Sequence, residues 1–157
     1  GMATVKGLAQ ALDKPVIGVP TLDGLAYNLV SREGLICPIM DARREQVYTS
    51  IYRSNGKLQR LEDYMAIPVM ELIQKLKTFD EPVMFNGDGV TVYWDIIKRE
   101  LADRALMAST NLLMQRASSI AYLALDRLKS GDTQGYAELV PFYLRKSQAE
   151  QKFAKKD

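Results

Sequence analysis

The residues best suited to chemistry lie in a charged turn within the segment 36–52, between two apolar stretches. The turn carries Asp41, Arg43, Arg44 and Glu45. An arginine fork suits planar anions, so one interpretation is a loop that faces a phosphate or a partner. The other is a solvated turn whose charges partly neutralise one another. The flanking β-branched and aromatic residues predict that the turn joins two strands of a hairpin.

A second candidate is Gly87-Asp88-Gly89, which follows a predicted strand at 82–85 and precedes a predicted helix. The amides and the dipole of a helix N-terminus can receive a phosphate or the edge of an adenosine. The alternative is a turn that requires the backbone freedom of glycine.

Several classes of active site are excluded because the sequence contains no histidine. Histidine is the commonest metal ligand and general base. Zinc proteases, Ser-His-Asp hydrolases and histidine-bearing metal sites are therefore ruled out in this chain. The phosphate-loop, dinucleotide-binding and Gly-x-Ser-x-Gly motifs are also absent. We predict no catalytic residue and no metal site.

The composition indicates a protein of the cytoplasm. With 21 basic and 19 acidic residues, the net charge of +2 is too small to argue for nucleic acid or membrane. Cys37 is the single cysteine, which excludes an intrachain disulfide and predicts a buried structural thiol in a reducing compartment. No apolar run approaches the roughly 20 residues of a membrane span, so we predict a soluble protein.

The elements that must position these residues form two unequal parts. Residues 2–31 predict helix, strand (16–19) and helix, with Thr21 as the second N-cap. Residues 35–130 predict three strands, helix, strand, helix, strand and helix, a complete α/β lobe. The third strand spans 57–64 after an Asn55-Gly56 turn, and the last helix spans 116–129. Its predicted apolar face consists of Ile120, Leu123, Ala124 and Leu128.

The two front helices carry aliphatic stripes at i, i+3, i+4 and i+7. A single four-residue strand cannot bury both helices, so residues 2–31 are interpreted as the end of a lobe whose sheet is not encoded here. The stripes include Val5, Leu8, Leu12, Leu22, Leu25 and Leu29.

The order of these segments resembles the bacterial TsaB (YeaZ) family. The resemblance covers essentially the whole chain, and its most specific parts are the hairpin and a Pro-x-Tyr-Leu-Arg tail. The segments that carry it are Gly7-Leu8-Ala9, 15–19, Thr21-Leu22, Asp41-Ala42-Arg43-Arg44-Glu45-Gln46-Val47-Tyr48, Asn86-Gly87-Asp88-Gly89 and 141–146 with Ala149-Glu150.

The resemblance implies an actin/Hsp70-like, ribonuclease H-like fold of two lobes, each a βββαβα unit. Residues 1–33 would be the remnant of the first lobe, 34–140 the complete second lobe, and 141–157 a docked segment with a basic tail. The family's initial strands and its Gly-Pro-Gly-Ser-Phe-Thr-Gly-Leu-Arg loop, expected before Met2, are not in this sequence.

The resemblance also implies a function. Family members help to make threonylcarbamoyladenosine (t6A) in tRNA, as a non-catalytic scaffold for a catalytic paralogue, TsaD. The implied partners are a TsaD-like paralogue, a TsaE-like ATPase and a second copy in a homodimer, with tRNA reached only indirectly. No tightly bound cofactor is implied, but ATP or ADP at the complex interface stays open. The residues for such a nucleotide or phosphate contact are Asp41, Arg43, Arg44, Gly87, Asp88 and Gly89.

The family pairs through first-lobe helices, so we predict that Val5, Leu8, Leu12, Leu22, Leu25 and Leu29 contribute to a helical interface. The alternative is that these residues cover the first-lobe sheet. Two other functions compete with the scaffold role. One is an enzyme, either an actin-fold ATPase or a glycoprotease-like peptidase. The other is direct tRNA binding through Arg43, Arg44 and the basic tail, with a steep salt dependence.

Overall fold

A computed structural model of the chain describes residues 1–144, which are built on a mixed seven-stranded sheet with helices packed on it. The helices are α1 (Met2–Leu12), α2 (Thr21–Tyr27), α3 (Val69–Lys77), α4 (Gly89–Leu101), α5 (Thr110–Leu113) and α6 (Ala117–Lys129), with a 3₁₀ turn at Ala102–Arg104. The strands are β1 (Gly34–Asp41), β2 (Gln46–Thr49), β3 (Tyr52–Ser54), β4 (Leu58–Arg60), β5 (Met65–Pro68), β6 (Val83–Asn86) and β7 (Ala105–Met107).

The long strand β1 is the centre of the sheet. It pairs antiparallel with β2 and β3 and parallel with β6, which in turn pairs parallel with β7. Strand β2 pairs with β5, and β3 pairs with β4. The chain order is therefore five antiparallel strands, β1 to β5, then helix, strand, helix and strand; the prediction had three strands before the first of these helices, and two of those three are interrupted.

Two predicted strands are interrupted. The second hairpin strand divides into β2 and β3 at Ser50 and Ile51, because Pro38 on the facing strand has no amide hydrogen for the ladder. The predicted third strand, 57–64, ends at Arg60 and pairing resumes only at Met65. Both the Leu61 and Glu62 amides turn inward to the Ile51 carbonyl, at 2.8 and 3.2 Å.

The largest core cluster lies between the sheet and the helices α3 and α4. The predicted stripe of α3 is buried at every position, Val69, Leu72, Ile73 and Leu76. These side chains pack with the β1 and β6 residues Leu35, Cys37, Ile39, Val83 and Phe85. Cys37 is fully buried, which confirms the predicted buried thiol, and this burial raises its pKa to about 12.

The front of the chain differs from the prediction in two details. Instead of a strand at 16–19, only Val16 pairs, in a single antiparallel bridge with Gln134. Pro15 and Pro20 bracket this segment, and proline cannot donate to a ladder. Thr21 is the first helical residue rather than the N-cap, which is Pro20, and no side chain caps the helix.

Helix α2, which the sequence assigned to the first lobe, packs on β1 and α6. The Asn86 amide donates to the Leu25 carbonyl at 2.7 Å, and the Ser119 hydroxyl donates to Asn28 Oδ1 at 2.7 Å. Because these bonds tie α2 to β6 and α6, the helix is part of the same packed body as the second-lobe sheet.

The last helix, α6, is less buried than predicted. Leu128 is exposed, and Ser119 is the buried residue of this helix. Because α6 packs mainly on α2, much of its surface is exposed to solvent. Within residues 1–144 the helices are all too short or too polar to cross a membrane. The predicted basic tail, including Arg145, Lys146, Ala149 and Glu150, lies outside the described residues.

Candidate functional site

The structure brings the charged turn and the Gly-Asp-Gly segment together. Strands β1 and β6 are parallel neighbours, so the loops that follow them leave the same edge of the sheet. The Asp41 amide donates to Asp88 Oδ1 at 3.3 Å. We call the residues 41–45 and 87–89 the strand-end site.

The turn of the strand-end site has an unusual backbone. Arg43, Arg44 and Glu45 have φ angles of 62°, 53° and 59°, so three successive non-glycine residues are left-handed. Each such residue costs about 1–2 kcal/mol relative to the right-handed conformation. Backbone bonds hold the turn: Ala42 to the Gln46 carbonyl at 2.9 Å, Gln46 to the Arg43 carbonyl at 3.1 Å, and Val69 to the Glu45 carbonyl at 2.9 Å.

Asp41 fixes the base of the turn. Its Oδ1 accepts the Arg43 amide at 2.9 Å and the Tyr93 hydroxyl at 2.8 Å. Burial, together with this hydrogen bond to a carboxylate, raises the pKa of Tyr93 to about 12. The Asp41 carboxylate is thus engaged with donors inside the molecule.

The two arginine side chains point to solvent. Both are exposed, and within residues 1–144 neither guanidinium forms an ion pair or a side-chain hydrogen bond. Each therefore presents its full set of donors to the outside, which suits a carboxylate or a phosphate.

The glycines of the strand-end site have a packing role. Gly87 has φ 97°, and a Cβ there would lie 2.1 Å from the Ile39 carbonyl oxygen. The Gly87 amide donates to the Leu113 carbonyl at 2.7 Å. A Cβ on Gly89 would lie 3.0 Å from the Ile39 oxygen. Because these glycines let α4 begin directly against β1, the structure supports the alternative that they are needed for backbone geometry. The nucleotide or phosphate contact stays a prediction.

The six predicted interface residues divide into two groups. On α1 the side chains of Val5, Leu8 and Leu12 are 48%, 59% and 65% exposed. The other three are core residues: Leu22, Leu25 and Leu29 are 4%, 2% and 1% exposed. An interface role for these three is incompatible with their burial, because α2 turns its stripe toward β1. The role of the α1 face stays a prediction.

A polar network centred on Asp23 was not predicted from the sequence. Its Oδ1 accepts the hydroxyls of Tyr52 at 2.7 Å and Tyr64 at 2.8 Å, and Arg127 lies 3.6 Å from Oδ2. Burial first, and then the Asp23 carboxylate, raise the pKa of both tyrosines well above the ordinary range. The guanidinium of Arg60 lies 4.4 Å from the centre of the Tyr64 ring. The partners come from distant segments, so no local spacing could have revealed the network.

A cavity of about 610 Å³ lies beside this network. Among its lining residues are Met2, Pro20, Met40, Tyr64 and Phe142. The Phe142 ring meets Tyr64 edge-on, with 5.5 Å between ring centres. No charged side chain of the described part lines the cavity. Met2 at the start of α1 and Met40 near the end of β1 both line it, so the cavity lies between these two elements.

Comparison with protein families and characterised proteins gives consistent results. The family model described as TsaD, tRNA N6-adenosine threonylcarbamoyltransferase, matches residues 1–153. The tRNA threonylcarbamoyladenosine biosynthesis protein TsaB of Bacillus subtilis (strain 168) is 34% identical over 154 residues, which are 98% of this chain and 66% of that protein.

Two solved structures have the same fold. One is the crystal structure of an uncharacterized Pseudomonas aeruginosa protein with similarity to peptidase YEAZ, at TM-score 0.74 and 26% identity, covering 92% of this chain and 65% of that one. The other is YeaZ from Pseudomonas aeruginosa, at TM-score 0.68 and 20% identity, covering 90% and 66%. These likenesses confirm the predicted actin-like fold class. The chain spans about two thirds of the length of these relatives.

Proposed function

Because the chain belongs to the TsaB (YeaZ) family, we propose that it takes part in t6A formation in tRNA as a non-catalytic partner of a TsaD-type paralogue. The B. subtilis relative is named for threonylcarbamoyladenosine biosynthesis, and the matching family model is named for the transferase. The proposal extends to a TsaE-like ATPase and to a homodimer of the chain alone.

The observation that carries the proposal is the exposed apolar face of α1. Val5, Leu8 and Leu12 all lie about half exposed or more. The single charged residue of the helix, Lys6, turns away to the carbonyls of Ala137 and Leu139, at 3.4 and 3.1 Å. Contiguous exposed apolar surface marks a site of protein association. We assign this face to pairing with the paralogue.

The non-catalytic role is supported by the amino-acid composition. The sequence has no histidine, so this chain can supply neither a histidine ligand for a metal nor a histidine general base. The proposal therefore assigns the chemistry to the paralogue, and to this chain the task of holding the complex together.

The test is sedimentation of the chain with the TsaD-type paralogue, comparing Leu8→Asp with Leu125→Asp. Leu125 is a matched control, because it is a half-exposed leucine on the helix α6. We expect Leu8→Asp to weaken pairing at least about tenfold, which is about 1.4 kcal/mol, since a charge would be moved into an apolar contact. We expect Leu125→Asp to pair normally. Unchanged pairing of Leu8→Asp, or equal losses in both variants, would contradict the proposal.

A further inference from the structure

The charged turn presents arginines where a purely structural turn favours other residues. Positive φ is the conformation that glycine adopts without penalty, yet none of the three left-handed positions is glycine. Residues held in such conformations persist only where the surrounding structure determines them, and they cluster at binding sites. Arg43 and Arg44 are the exposed members of this turn that carry donors.

The surroundings hold the two arginines in place without using their side chains. The turn is fixed by backbone bonds to Gln46 and Val69, and by the Asp41 carboxylate. Asp41 is fixed in turn by the Tyr93 hydroxyl. Both guanidiniums therefore start from a preorganised backbone, which reduces the entropy that binding would cost.

The charges near the turn favour a protein over a nucleic acid. The strand-end site contains two arginines and three carboxylates, those of Asp41, Glu45 and Asp88. Nucleic-acid binding needs a basic patch, because its affinity comes from neutralising a dense row of phosphates. Single guanidiniums in a surface of mixed charge suit individual carboxylates, which they bind in a bidentate manner.

A cavity lies between the residue that precedes the turn and the first residue of α1. Met40 directly precedes Asp41 and lines the same cavity as Met2, the first residue of α1. A partner seated on the α1 face can span this cavity and reach the turn. Arginine is enriched among the residues that dominate the energy of protein interfaces.

We propose that Arg43 and Arg44 are a second contact for the partner that binds α1, and that they pair with carboxylates on an acidic part of its surface. This inference rests on the proposed function and adds the chemistry that the partner must supply. Interfacial charge pairs of this kind raise the association rate and give the complex a dependence on salt.

The test uses the double variant Arg43→Glu with Arg44→Glu, measured against the immobilised TsaD-type paralogue at 50 and 300 mM salt. The control is Arg32→Glu with Arg116→Glu, which changes the net charge equally at two other exposed arginines. We expect the turn variant to bind at least tenfold more weakly at 50 mM salt, with a smaller difference at 300 mM, because salt screens the repulsion. The control should stay within twofold of the native chain.

A second variant tests the bidentate geometry. Arg43→Lys with Arg44→Lys keeps both charges but loses the planar fork, so we expect an intermediate loss of about threefold. Thermal unfolding of each variant confirms that the fold is retained, since the guanidiniums make no bond within residues 1–144.

Several results would overturn the inference. Native-like binding of the turn variant would do so, as would an equal loss in the control. If the turn variant loses binding to an unmodified tRNA transcript but still pairs normally with the paralogue, the turn is an RNA contact instead. If Leu8→Asp abolishes pairing while the turn variant pairs normally, only this inference fails. If the native chain does not bind the paralogue, the proposed function fails and this inference falls with it.

Discussion

Replacing Leu29 by alanine separates a core role from an interface role for the second apolar stripe. Leu29 is 1% exposed and packs with Ala26, Ile36, Tyr52 and Met84 between α2 and the sheet. The substitution removes the burial of roughly three carbon groups at about 0.8 kcal/mol each, and a cavity penalty adds to this loss. We expect the free energy of unfolding to fall by about 2–5 kcal/mol.

The assay is urea unfolding followed by circular dichroism, with Leu8→Ala as the matched control. Leu8 is 59% exposed, so the same chemical change should alter stability by no more than about 0.5 kcal/mol. Pairing with the paralogue should show the reverse order, with the larger effect at Leu8. A loss below about 1 kcal/mol for Leu29→Ala, combined with loss of pairing by the folded variant, would refute the assignment of this stripe to the core.

Two further predictions concern the strand-end site. Gly87→Ala should lower the free energy of unfolding by about 2–5 kcal/mol, because it adds a clash with the Ile39 carbonyl to an unfavourable φ. Gly56→Ala should cost only about 1 kcal/mol, since Gly56 also has positive φ but faces open space; equal losses in urea unfolding would contradict the clash. Tyr93 keeps its proton up to a pKa of about 12 in the fold, against an ordinary value of about 10. The raised pKa therefore contributes fully to the free energy of unfolding below about pH 10, and this contribution is lost as the pH rises toward 12. The urea midpoint of the native chain should then fall more over that range than the midpoint of Tyr93→Phe. Equal falls in the two proteins would contradict this prediction.

The sequence predicted the elements that depend on periodicity. The stripe from Val69 to Leu76 appears in the sequence at helical spacing, and the structure buries each of its members. The hairpin of β1 and β2 was likewise predicted from the β-branched and aromatic residues that flank the turn. The interruption opposite Pro38 could have been anticipated, because the missing amide hydrogen of proline is a property of the residue itself.

The sequence could not assign the surface that each stripe covers. Leu8 and Leu29 belong to stripes of the same spacing, yet one is exposed and the other is buried. Periodicity shows that a helix has an apolar face, but the partner of that face is a property of the tertiary structure. The Asp23 network could not be predicted for the same reason, because Tyr52 and Tyr64 approach Asp23 only after the sheet and α2 have packed.

The topology of the sheet could have predicted that the turn lies close to Gly87-Asp88-Gly89, but it could not have predicted the conformation of the turn. Once β1 and β6 are parallel neighbours, the loops after them must share one edge of the sheet. Nothing in Arg43-Arg44-Glu45 predicts three left-handed residues, because none of them is glycine or asparagine. That conformation is set from outside the turn, by the Val69 amide at the start of α3 and by the Tyr93 hydroxyl on α4 through Asp41. The position of the arginines is therefore a consequence of how α3 and α4 pack on the sheet, so a change that loosens this packing should weaken their binding without touching either guanidinium.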